Sequence, residues 1–161
     1  MAVTISAQVP TGWHVRVRRR PQVPLRSATS GAGDHTRPIL HAASRPLPTD
    51  LGDFGGELID VLGPDDGFVA LIDHGPEVAG TGLFARQGRP VVSPSQFAAN
   101  RLARYVPGRS AGQWFFSEGG HGFCLYAVTG AHSRRMAVVP RIARVVAGIR
   151  VSGAGAVEGV R

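Results

Sequence analysis

A chain of 161 residues that is 43% hydrophobic is long enough for one domain burying roughly 70% of its unfolded surface, and too apolar for intrinsic disorder. No run approaches the ~18 apolar residues of a membrane helix. The opening MAVTISAQVPTGW lacks a basic region followed by an apolar core, which predicts no secretory signal and a cytoplasmic location.

Residues 3–9 read as a short strand stopped by Pro10 and Gly12. HVRVRRR, 14–20, alternates Val15 and Val17 with Arg16 and Arg18, the period of a half-buried strand with its arginines in water. The Gly/Pro/Ser-bearing stretch 21–37 reads as a flexible loop. ILHAAS, 39–44, is a strand. FGGELIDVL, 54–62, is a short amphipathic helix with Leu58, Ile59 and Leu62 on one stripe. FVALID, 68–73, is apolar throughout, which predicts a strand covered on both faces.

Ser93-Pro94-Ser95-Gln96 has the form of a capping box, predicting a helix over 94–105 that stops at Pro107 and Gly108. GQWFFS and GFCLYAV flank EGGH as a hairpin. Met136, Val139, Ile142, Val146 and Ile149 recur at mostly helical spacing, and Pro140 either kinks that helix or begins it. Residues 152–161 carry no core pattern and read as a disordered tail. The elements assemble as one α+β domain over 1–151, an antiparallel sheet with helices packed on it.

Two stretches carry a family resemblance. ISAQVPTGWHV resembles the strand, Pro, Gly, Trp, strand opening of PsbP-like domains, and VVPRIARVVAGIRV is similar to their final helix and short Ile-Arg-Val end. The resemblance implies an antiparallel sheet between helical layers, an α/β/α sandwich, and an accessory or binding role rather than catalysis. HAASRPLP, FCLYAV and the use of Arg for Lys also resemble small actinobacterial proteins.

Charge is unevenly placed. All 18 basic residues are Arg. Eight of the eleven acids fall between Asp50 and Glu77, where there is no Arg. That segment carries −8 and the remainder +15. Either the acidic segment packs beside basic ones and neutralises them, or the positive part forms one surface for a polyanion such as nucleic acid.

Two motifs invite a catalytic reading. GRSAG, 108–112, matches the nucleophile-elbow pattern around Ser110, but that motif needs a strand before the serine and a helix after it, the reverse of the order predicted here. Cys124 is the only cysteine, so no internal disulfide forms. If the hairpin loop is 118–121, Phe115 lies opposite Cys124. Phe115, Cys124, Tyr126 and Val128 then share one face, and Trp114, Phe116, Phe123 and Leu125 the other. Both faces are apolar, so the thiol is buried and its pKa raised. His121, three residues away, falls on the opposite face, and His132 lies beyond the strand. No metal spacing is present, since His35 and His41 are six apart with no paired cysteines, and no cofactor motif is complete.

The sequence therefore predicts a small non-enzymatic accessory or interaction domain that meets a protein partner through Arg16, Arg18, Arg19, Arg20, Arg134 and Arg135. The alternatives are a small hydrolase or thiol enzyme using Cys124 or Ser110, and polyanion binding through the arginine clusters.

Overall fold

The computed structural model describes residues 3–21 and 36–153. Seven strands form two antiparallel sheets: β1 (Val3–Ala7), β2 (His14–Pro21), β3 (Thr36–Ala43), β4 (Gly67–Gly75), β5 (Ser110–Glu118), β6 (His121–Thr129) and β7 (Ile149–Gly153). The main sheet has the order β2-β3-β4-β6-β5, and β1 pairs with β7 in a small ribbon. A one-turn helix α1 (Leu58–Val61) and a long helix α2 (Arg135–Ala147) complete the regular structure. This is the α+β class the sequence predicts. No helix among the described residues is long and apolar enough to cross a membrane.

The β5–β6 hairpin has the predicted register, Phe115 opposite Cys124 and Ser117 opposite Gly122. Its two-residue turn holds Gly119 and Gly120 at φ 61° and 81°, left-handed values that match the twist of the flanking strands and favour glycine. Every residue of β6 is buried, so both faces of the sheet need a cover.

The first face is covered by α2. Val138, Val139, Ile142, Val145 and Val146 pack with Leu40, Leu71, Phe116, Phe123 and Leu125. Pro140 sits inside this helix, where its ring removes a bond to the carbonyl of Met136. Met136 is exposed, so that carbonyl can turn to water.

The second face is covered mostly by irregular chain. Leu51, Leu58, Ile59, Leu62 and Val106 lie on Phe68, Ala70, Tyr126 and Val128. The helix expected over 94–105 does not form. Two three-residue 3-10 turns, Pro94–Gln96 and Ala99–Arg101, stand in its place. The capping box is present, with Gln96 Oε1 accepting from the Ser93 N–H, but Ala98 is extended and exchanges two main-chain hydrogen bonds with Ala111 of β5. Pairing at the sheet edge overrides the helical start. The helix expected over 54–62 shrinks to the single turn of α1 for a local reason: Gly55 and Gly56 take positive φ.

Irregular cover leaves carbonyls without ladder partners, and arginines satisfy many of them. Arg16 donates to Pro48 O at 2.7 Å and Leu47 O at 3.2 Å, and Arg18 to Leu51 O at 2.6 Å. Arg109 donates to Ile59 O, Asp60 O and Leu62 O around the end of α1, where helical carbonyls lack partners. Arg89 holds Val146 O and Ile149 O at 3.0 and 2.6 Å, and pairs through two nitrogens with Glu118. The arginine face of β2 thus bonds the second layer while staying partly in water, with Arg18 exposed and Arg16 half-buried. Val15 and Val17 are 37% and 38% exposed because β2 is an edge strand.

At the chain ends, Ser152 and Gly153 belong to β7, which shortens the expected tail; residues 154–161 lie outside the described residues. Of the loop expected over 21–37, Pro21 closes β2, Thr36 and Arg37 open β3, and the rest lies outside them.

The role of these clasps can be measured. Arg89→Met should lower unfolding free energy by about 2–4 kcal/mol in urea titrations, because it leaves Glu118 and two carbonyls unpaired in a partly buried place. Arg134→Ala, which removes only an exposed pair with Asp65, should cost below about 1 kcal/mol.

Candidate functional site

Neither nucleophile suggested by the sequence is placed for attack. Ser110 is the first residue of β5, fully buried, with its Oγ 2.8 Å from Thr129 Oγ1. A strand begins where the elbow would need one to end. Cys124 is 1% exposed, its Sγ accepting a 3.5 Å contact from Gln113 Nε2. Burial pushes its thiol up to about 11.

Two other buried groups escape sequence reasoning. His121 Nδ1–H donates to Asp73 Oδ1 at 2.8 Å, the carboxylate also accepting from the Gly75 N–H. The pair joins β6 to β4 on the α2 face, with side chains 6% and 1% exposed. It ties strands together and reaches neither Ser110 nor Cys124, which stands on the other face.

His41 is 1% exposed, stacks on Phe68, and donates from Nε2 to Asp53 O at 3.0 Å. Its Nδ1 is buried without a partner among the described residues. Burial holds its pKa below the usual imidazole value.

Register places His41 in a polar row across the second face: Arg16, His41, Ala70, Tyr126 and Gln113 are successive cross-strand neighbours. Arg16 and His41 donate to carbonyls of the covering layer. Tyr126 Oη accepts from the Ala103 N–H at 2.8 Å. Phe54 stands edge-on to the Tyr126 ring, centroids 5.1 Å apart. The row pins the irregular layer to the sheet at three points.

At the β5 end of this row the cover is incomplete. A cleft of about 790 Å³ opens between the segment 95–103 and the sheet, lined by Phe54, Gln96, Asn100, Arg101, Gln113 and Tyr126 among others. A hollow of about 250 Å³ lies beside it, sharing Phe54, Ala103 and Tyr126. The larger volume is in the range of ligand sites, and its polar groups are mostly neutral. Arg101 is exposed and, unlike Arg104, which pairs with Asp60 at 3.0 Å, its guanidinium has no ion pair or hydrogen bond among the described residues.

The arginines expected to meet a partner are engaged within the chain. Arg16 and Arg18 clasp the 47–51 carbonyls, and Arg19 donates to Val3 O at 2.6 Å. Arg134 pairs with Asp65, and Arg135 donates to His132 O at 2.9 Å. The Arg20 side chain lies outside the described residues. Four acids of the 50–77 segment pair with arginines: Asp60 with Arg104, Asp65 with Arg134, Asp66 with Arg45, Glu77 with Arg37. Burial alone would raise the Asp66 carboxyl, but hydrogen bonds from Ser44, the Gly63 N–H and Arg45 bring it below the usual range.

Trp13 is buried in the core with Arg141 over its ring at 5.9 Å, so it anchors packing and offers no face for a base. No group of three or more metal-ligating side chains occurs among the described residues.

Sequence reasoning missed the cleft residues, although Gln113 carried a signal: a long amide beside the apolar run Trp114-Phe115-Phe116. Compared with protein families, curated proteins and solved structures, the chain matches none.

Two titrations follow from the buried groups. A folded thiol two pH units above its ordinary value holds roughly a hundredfold less thiolate at neutral pH. Labelling by a thiol reagent at pH 7 should therefore be at least that much slower in the native than in the urea-unfolded chain. For His41, a depressed folded pKa means that stability is present above the ordinary imidazole value and is lost as pH falls below about 6.5. The urea midpoint should drop between pH 7.5 and 5, and drop less in His41→Phe, even though that variant starts lower.

Proposed function

We propose that this chain is a small non-enzymatic interaction domain that binds a polypeptide partner in the cleft between segment 95–103 and the β5–β6 hairpin. The cleft itself is the observation that carries the reading: a recess of about 790 Å³ whose lining offers an aromatic wall, neutral amides and one arginine. Such a mixture suits peptide groups, which need both apolar contact and hydrogen-bonding partners. The burial and internal hydrogen bonding of Ser110 and Cys124 support binding over catalysis. The resemblance of the two chain ends to PsbP-like domains belongs to the same proposal; those ends pair here as β1 and β7.

Selection of random displayed peptides on the native domain tests this, with Asn100→Trp as a cleft-filling comparison. Asn100 is exposed, so the variant should keep the fold. Enriched peptides should bind the wild type at least about tenfold more tightly than the variant, a difference of ~1.4 kcal/mol. Equal binding to both proteins, or no enrichment at all, would overturn the reading.

A further inference from the structure

Hydrogen-bond parity along β5 decides which of its main-chain groups face outward. Ala111 exchanges both its main-chain bonds with Ala98, and the Ser117 N–H and carbonyl bond Arg86 O and the Gly88 N–H. Both residues therefore point away from β6. Alternation then turns the N–H and C=O of Gln113 and Phe115 outward as well, while Trp114 and Phe116 bond inward to Leu125 and Phe123. Between the two occupied positions, Gln113 and Phe115 have no main-chain partner among the described residues. Gln113 also lines the cleft.

The sheet's two edges are not alike. β2 carries Arg16, Arg18 and Arg19, charges that discourage a further strand. β5 reads SAGQWFFSE, uncharged until its last residue.

From this we infer that the edge of β5 at Gln113 and Phe115 accepts a short extended segment of a partner protein by strand addition, with an acidic side chain of that segment on Arg101. The inference deepens the proposed function and rests on its cleft. One residue offering a donor and an acceptor in the sheet plane is matched by the same pair on a strand residue, which exchanges both bonds at once. A small carboxylate can use Arg101 but not that pair. Charge complementarity names the acid: among the described residues the Arg101 guanidinium has no partner, and it stands at the rim of a cleft with no acidic side chain in its lining. Ala98 and Gln87 occupy the neighbouring edge positions. Among the described residues only two positions are open, about 7 Å apart, so the segment is three or four residues long before it leaves the sheet plane.

The probes are acetyl-Val-Thr-Val-Thr-Glu-amide, its Gln and Lys counterparts, and a set of singly N-methylated forms of the Glu peptide. They are titrated into ¹⁵N-labelled full-length protein. The Glu peptide should shift the Gln113 and Phe115 amides and bind at least about tenfold more tightly than the Lys peptide, with Arg101→Glu reversing that order. N-methylation at alternate residues should abolish binding, and at the residues between them leave it unchanged. Binding that shifts Asn100 and Tyr126 but ignores N-methylation and Arg101→Glu would overturn strand addition while leaving cleft binding intact. Peptides selected on the wild type that bind Asn100→Trp equally well would remove the cleft reading and this inference together.

Discussion

A strand buried on both faces obliges the chain to build two covers, and everything else in this molecule follows from how it meets that demand at β6. One cover is inexpensive to specify. Helix α2 satisfies most of its own backbone and needs only an apolar stripe, which Val138, Val139, Ile142, Val145 and Val146 supply. The other is made from segments 47–62 and 98–106, which form little regular structure and so present carbonyls and N–H groups that must find partners elsewhere.

Those partners are side chains rising from the sheet or reaching in from neighbouring loops. Arg16, His41 and Tyr126, set in one cross-strand row, meet the cover from below, and Arg18 and Arg109 bond further carbonyls. This changes the meaning of the basic composition. A guanidinium carries several donors in a fixed fork, and here many of those forks close loops. Excess positive charge and pairing within the chain coexist because a carbonyl neutralises no charge: Arg16 and Arg18 are structurally occupied and still contribute to the net +7.

The register of the hairpin was legible in the sequence, because EGGH marks the turn and both faces of GFCLYAV are apolar, although the turn is only Gly119 and Gly120, with Glu118 and His121 paired across it. The position of Cys124 followed from that register alone. The last helix was legible through its apolar recurrence, although Met136 belongs to the exposed side and Ile149 opens β7 instead of continuing the helix. The failure at 94–105 has a physical cause. A capping box specifies how a helix can start, not whether a neighbouring edge will capture Ala98 first. The arginine clasps were not legible either, since Arg16 on a strand has the same local pattern whether water or a loop lies above it. The cleft depends on where the second cover stops, a tertiary fact carried by no single stretch; only Gln113 hinted at it.

The chain bordering β5 pairs with it at Ala111 and Ser117 and leaves the outer groups of Gln113 and Phe115 without main-chain partners among the described residues, and this is the claim on which the binding account stands. Residue-resolved amide hydrogen exchange in the free, native protein tests it most directly. The Trp114 and Phe116 amides, bonded to β6, should be protected close to the global unfolding limit, while Gln113 and Phe115 exchange through the native state at least ~100-fold faster. Uniform protection from Gln113 to Phe116 would show that edge to be already covered and would contradict the account.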